Sequence, residues 1–413
     1  MNDSTSKALP KGKSLTPLDP AYRQDPYPLL KRVREEAPVF FDEEFKHWYV
    51  TRFEDVRQIL RDKEMSVDPR KANPDSHAAK TGAVSSPEHG DLTANLMLFM
   101  DDPEHRRVRG LVSKAFTPKA VEALRPRIRQ NAQSLLQEII ENEFDLMASY
   151  AEPLPVITIS EMLGIDAQHR VAFKRWSEIV VSTFYNRFRS DEETERGLNA
   201  LQELKTYLLG IIELRRGAPT SDLISGMVHA EENGNRLTAD EILRQTVLLL
   251  MAGNMTTTDL IGNGVRALLQ HPEQLAKLRM RPDLIANTVE EVLRYDSPVT
   301  SGERIVRQDA VVAGCPMRAG QSISLSLAAA NHDPSVHEHP DRLNIEREGI
   351  HHQSFGGGNH LCLGAPLARV EAQEAILALL DRFAHIELSP RGYYFRAVPT
   401  VRGTKELWLR IAK

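Results

Sequence analysis

Apolar residues recur at helical spacing from Tyr27 to Glu36; Val39 to Phe41 and His47 to Thr51 then read as the two short strands of a hairpin, and Phe53 to Arg61 returns to the helical period. Residues 65–102 hold no sustained period and are broken by Pro69, Pro74, Gly82, Pro87 and Gly90, which predicts a long loop of the kind that forms a lid or touches a substrate. From Pro103 to about Leu214 helical patterns dominate. Thr238 followed by Glu241 is a capping-box signature, and it opens a long helix reaching about Leu269 that should be central. Beyond residue 300, short strand-like pieces turn at Gly314, Pro316 and Gly320, and a last helix is predicted from Ala365 to about Phe383. No repeat, low-complexity tract or clean linker divides the chain, so a single domain over residues 1–413 is expected. The polar, proline-broken first 17 residues should be flexible.

Composition narrows the function classes. The 413 residues are 41% hydrophobic and 26% charged, enough to bury a large core. A net charge of −5 argues against a general polyanion binder, so no nucleic-acid partner is expected. Two cysteines, Cys315 and Cys362, can build neither a disulfide framework nor a four-thiolate metal site, and such sparse use suits a reducing compartment, here the cytoplasm. The longest apolar run, Val247 to Ala252, is too short to cross a bilayer, and the opening residues lack the apolar stretch of an export signal. No membrane association is expected.

The chemistry concentrates in Phe355-Gly356-Gly357-Gly358-Asn359-His360-Leu361-Cys362-Leu363-Gly364, a glycine-rich loop that sets one cysteine just ahead of a helix. Glycines let backbone approach a flat cofactor and take positive φ, and a helix amino terminus favours an anionic sulfur over a neutral thiol. A thiolate is the iron ligand that favours O–O cleavage. By itself such a loop is equally compatible with an inert cysteine beside a structural turn.

The string resembles the haem-binding loop of the cytochrome P450 family, Phe-Gly-x-Gly-x-His-x-Cys-x-Gly, with every fixed position occupied. The resemblance runs over nearly the whole chain in the family order, and it implies a mainly helical α+β fold in one triangular domain. It further implies b-type haem held between the long central helix and the helix after Cys362, with Cys362 as axial ligand and Phe355, Gly356, His360 and Gly364 around the cofactor. His105 and Arg109, spaced to share one helical face, resemble the family's propionate-binding pair, and Arg304 and His360 match its two other usual donors. Glu291 and Arg294 resemble a buried Glu-x-x-Arg pair that an arginine of the later meander joins, which Arg342 in His-Pro-Asp-Arg resembles.

The stretch Ala252-Gly253-Asn254-Met255-Thr256-Thr257 resembles the family's oxygen-binding helix. Gly253 leaves room for dioxygen, and the Thr256 hydroxyl can bond the Ala252 carbonyl and open a polar kink where protons enter. Met255 departs from the pattern, since the family usually has Asp or Glu there. Thr256, Asn254 and Asp259, one turn beyond Met255, are the groups left to carry protons.

The implied activity is monooxygenation, one atom of dioxygen hydroxylating an apolar small molecule. NAD(P)H supplies the electrons indirectly, through a separate ferredoxin and ferredoxin reductase, because the chain shows neither a reductase extension nor an anchor. Leu248, Met251, Ala252, Met255, Val299 and Thr300 would line a mainly apolar pocket. Arg107, Lys114 and Arg369 would form a basic patch for an acidic ferredoxin, and a monomer is expected. A peroxide-driven haem oxygenase is the nearer rival, favoured by Met255, but Thr256 is a residue that the family's peroxide users resemble each other in lacking. A haem sensor would need an output domain, for which the 413 residues leave no room. His351 and His352 are adjacent and diverge, which suits no metal spacing. Cys315 reads as a turn thiol. Leu92, Leu96, Met97, Leu98 and Phe99, like Phe184 and Tyr185, divide evenly between core and pocket.

Overall fold

A computed structural model describes residues 9–81, 85–86, 90–91, 95–185, 190–232 and 234–411. The central helix, Ala239–Gln270, starts where its capping box predicts: Thr238 Oγ1 accepts from the Glu241 amide at 3.2 Å and Glu241 Oε2 accepts from the Thr238 amide at 2.8 Å. Its first half, through Val247, Leu248 and Met251, packs into one large apolar cluster with Val108, Leu204 and Ile212. Its second half, from Leu260 to Leu268, packs into another with Val292, Ile376 and Leu407. One continuous helix therefore ties both clusters together. The helix after the cysteine loop, Ala365–Arg382, packs against it.

Five strands form the sheet beside these helices, in the order Val39–Asp42, His47–Val50, Ser322–Ser326, Ser301–Val306 and Met65–Ser66. His47–Val50 and Ser322–Ser326 run parallel, and the other pairings are antiparallel. The hairpin predicted near residue 40 is thus the outer edge of a sheet completed by residues 270 positions later. A second antiparallel sheet joins Ile386–Phe395, Thr404–Ile411 and Glu143–Asp145.

Helices dominate from Pro103 to Leu214, as expected, with one strand, Glu143–Asp145, between helices Arg125–Gln137 and Pro153–Met162. Two expectations need correction. Residues 65–102 are not one loop: they hold an edge strand, a 3-10 turn at Pro69–Lys71, a helix at His77–Thr81 and a 3-10 turn at Met97–Phe99. Each piece is too short for periodicity to register. Of the first 17 residues, 9–17 are described, and there Leu15 is buried against Val33 and Tyr49 and the Gly12 amide donates to Asp42 Oδ2 at 2.5 Å, which ties that part to the sheet. Leu96 and Met97 are core residues, and Leu98 is exposed. Leu92 lies outside the described residues, as do the side chains of Phe184 and Tyr185.

Candidate haem site

Gly356 and Gly358 both take left-handed backbone, at φ of 69° and 63°, which a side chain disfavours. At Gly358 the constraint is also steric, since a Cβ would stand 2.7 Å from the Leu60 carbonyl oxygen. The loop therefore lies hard against the end of helix Phe53–Arg61. It closes through the Cys362 amide, which donates to the Phe355 carbonyl at 2.9 Å, and then enters the helix that starts at Ala365. Cys362 carries exposed surface although protein surrounds its thiol, so that surface borders a recess rather than the outer face. Burial pushes the thiol's proton affinity up. The Gly364 amide, Arg109, the Ala365 amide and Arg369 all pull it down, the donor set that an anionic sulfur needs.

The central helix, on which the helix after the cysteine loop packs, opens locally. Most of its turns are buried, yet Ala252 is exposed and Gly253, Met255 and Thr256 are half-exposed. A Cβ on Gly253 would meet nothing within 4 Å, so the helix borders open space there. The Thr256 hydroxyl donates to the Ala252 carbonyl at 2.7 Å. Asn254 is buried and does not share this open stretch. Of the other expected pocket residues, Val299 is half-buried and packs against the apolar cluster of Val50, Phe53 and Leu325, whereas Leu248, Met251 and Thr300 are buried.

A third feature tests whether haem fits. His105 and His360 stack with ring centroids 4.0 Å apart. Arg304 is 7% exposed, and its guanidinium donates only to backbone carbonyls, Glu303 at 2.8 Å and Leu60 at 3.2 Å. Arg109 donates to the Leu361 carbonyl at 2.5 Å. Burial, with His105, Arg304 and Arg109 close by, holds His360 at about 3, and burial lowers Arg304 to about 10. His105 Nε2 is buried without a hydrogen-bond partner among the described residues. The nearby carboxylate Asp101 is already engaged by Lys71, Arg307, Ser66 and the Val67 amide. Four groups able to hold positive charge thus converge where the protein supplies too little negative charge. A cofactor bearing two carboxylates fits that deficit.

With this geometry in hand, the family model described as Cytochrome P450 matches residues 165–391, more than half of the chain. The chain belongs to the cytochrome P450 family. It is similar to the polyketide biosynthesis cytochrome P450 PksS of Bacillus subtilis (strain 168), 39% identical over 402 residues that cover 95% of this chain and 97% of that one. The solved PksS structure aligns with a TM-score of 0.86, covering 96% and 99% of the two chains. The P450 CYP109E1 from Bacillus megaterium, solved in complex with testosterone, is 34% identical, with a TM-score of 0.83 over 94% of this chain and 100% of that one. P450BioI, solved in complex with an acyl carrier protein ligated to hexadec-9Z-enoic acid, is 33% identical, with a TM-score of 0.86 over 95% and 99%. This P450 is accordingly a haem-thiolate monooxygenase of small-molecule substrates, using haem b, dioxygen and electrons from NAD(P)H through redox partners. No described helix is long and apolar enough to cross a membrane.

Two sequence readings of the P450 loop's support change. Glu291 and Arg294 are fully buried and paired at 2.8 Å, but the arginine that joins them is Arg347, at 3.1 Å, not Arg342. Arg342 gives only its backbone carbonyl, to Arg294 and Arg347. The segment from 332 to 355 is irregular, so no spacing in the sequence could separate the two arginines. Arg369 is not a free docking charge. It grips Glu290 at 2.6 and 2.9 Å and covers the Phe355 ring, with its guanidinium carbon 4.6 Å from the centroid. His352 also pairs with Glu290, at 3.2 Å, while His351 is exposed and offers its carbonyl to His337. Glu290 is held down at about 2, because His352 and Arg369 bond it and outweigh the opposing effect of burial. Sequence reasoning missed Glu290, although it stands beside Glu291. Arg107 is paired with Glu104 and Glu241, and Lys114 bonds the Glu231 carbonyl.

Proposed function

We propose that Cys362 is the thiolate that ligates the haem iron and that the oxidant acts on an apolar guest lodged over Ala252, Gly253 and Met255. The observation that carries this reading is the Cys362 surface among amide donors and arginines at the head of helix Ala365–Arg382, which packs on the central helix, itself open at Gly253. His105, Arg109, Arg304 and His360 would take the propionates, with Arg304 and Arg109 as the charged donors. Haem with a thiolate ligand supplies reductive cleavage of dioxygen and transfer of one oxygen atom. Gly253 leaves space above that centre, Thr256 holds a hydroxyl at its edge, and Val299 and Met255 give apolar contact that excludes water. Electrons would come from an acidic ferredoxin docking on the cytoplasmic, monomeric enzyme over the face that carries Arg106, 75% exposed though paired with Asp102, and Lys114, exposed though paired with Glu232. Apolar guests worth offering first are steroids, the class CYP109E1 was solved with, and long-chain acyl groups such as P450BioI takes on its carrier protein.

The test is spectroscopic. Reduced protein under carbon monoxide should show the long-wavelength band of thiolate ligation, Cys362→Ser should lose it, and Cys315→Ser should keep it. The reverse result would overturn the assignment. Displacement of iron-bound water by a steroid or acyl guest, read as a shift of the haem band, then sorts substrates.

A further inference from the structure

The pair of an acid and threonine that would move protons toward the oxygen site is broken in this chain, because Met255 can neither donate nor carry a proton. One turn further along, Asp259 is a fully buried carboxyl on the same helical face. Its Oδ1 accepts from Arg396 Nε at 3.2 Å, and Arg396 reaches on to Glu152 at 2.9 Å, whose side chain is 44% exposed. Asp259 Oδ2, by contrast, is buried with no hydrogen-bond partner among the described residues. The pocket that holds the carboxyl is specific: a Cβ on Gly403 would fall 1.9 Å from Asp259 Cγ, so only glycine fits there.

Asp259 is not alone. Asn263, four residues on, and Thr404, on the strand that packs along this face, also bury side-chain oxygens without partners, Oδ1 and Oγ1. Buried polar atoms rarely stay unpaired, and three of them among the described residues, two one turn apart on the helix and one on the strand packed against it, point to a hydrated seam. The charged groups facing the carboxyl are Arg396, Glu152 and Asp296; Arg396 favours the ionised form, and the two acids disfavour it. Burial outweighs Arg396 and raises Asp259 to about 7, which lets it hold or release a proton at working pH.

We infer that Asp259, resupplied from solvent past Glu152 and Arg396, replaces the missing acid at position 255 and feeds protons to the Thr256 hydroxyl. The inference rests on the haem-thiolate reading above. The step moves only protons: one leaves Asp259 Oδ2 toward Thr256, across a gap of about 5–6 Å between Cβ atoms that a bridging water spans, and one returns from solvent. Asp259 touches no substrate and acts through Thr256.

In the haem-loaded enzyme, infrared titration should find a protonated carboxyl that ionises near neutral pH and vanishes in Asp259→Asn. In the same variant, hydrogen peroxide released per electron pair should rise roughly tenfold or more and lose its pH dependence. Met255→Asp added to Asp259→Asn should recover coupling. Glu152→Gln, a change at the surface, should shift the pH profile without altering guest affinity. The inference is overturned if no such carboxyl titrates in the parent, or if Asp259→Asn lowers only thermal stability and haem content while coupling and its pH profile stay put. Should Asp259→Asn not fold, the parent titration and Glu152→Gln decide. A parent lacking the thiolate band would instead sink the haem reading itself, so the two failures are distinguishable.

Discussion

Glu291 is a single buried carboxylate serving two arginines, Arg294 from its own helix and Arg347 from the irregular stretch before the cysteine loop. Removing one member of such a group strands the others without water, at a cost of about 3–5 kcal/mol. Arg347→Ala should therefore destabilise the protein by that order and loosen its hold on haem. Arg342→Ala, which leaves a backbone carbonyl untouched, should cost less than about 1 kcal/mol. Urea midpoints of the two variants check this, and equal losses would contradict the geometry. The contrast marks what a residue string can carry. The loop around Cys362 was legible because glycines, histidine and helix start stand in one fixed frame. Arg347 was not, because its partner lies 56 positions away across backbone with no period to read.

At the scale of elements, the two long apolar patterns with clear ends, 239–270 and 365–382, were read nearly to the residue, since a cap and a glycine-rich loop punctuate them. Elements of two to five residues were not, because tertiary pairing rather than local period forms them. Glu241 shows how an element's end does more than stop fraying: besides its capping bond to Thr238, it pairs with Arg107 on helix Glu104–Ala115, the helix that carries His105 and Arg109. The cap thereby fixes the central helix to helix Glu104–Ala115. Glu241→Gln should keep the cap and lose the ion pair, costing about 0.5 kcal/mol, whereas Glu241→Ala should lose both and cost about 1–2 kcal/mol. Thermal unfolding of the pair measures the difference, and no gap between them would mean the cap contributes nothing.

For the molecule as a whole, Asp259 and Glu371 set a slope of stability against pH. Glu371, 2% exposed beside Thr158, is raised by burial to about 8, as Asp259 is to about 7. Each binds its proton more tightly folded than unfolded. Their stabilising contribution is present below the unfolded values near pH 4 and is lost as pH rises through the folded ones, by up to roughly 4 kcal/mol for each acid, at about 1.4 for each tenfold difference in proton affinity. Glu371→Gln should flatten the decline between about pH 5 and 8, and denaturant midpoints across that range with unchanged slope would refute it. The helical frame and cofactor loop could be anticipated from pattern, whereas these solitary acids could not, since burial is a property of the assembled chain. Assembly also dictates order in time. The cradle at Gly358 leans on the Leu60 carbonyl, which Arg304 also holds, while His105 stacks on His360. Contacts spanning almost 300 positions form late in folding, so a ribosome must release most of the chain before any cofactor can be captured. Haem insertion is then the closing event of biogenesis, and a truncated nascent chain has nowhere to put it.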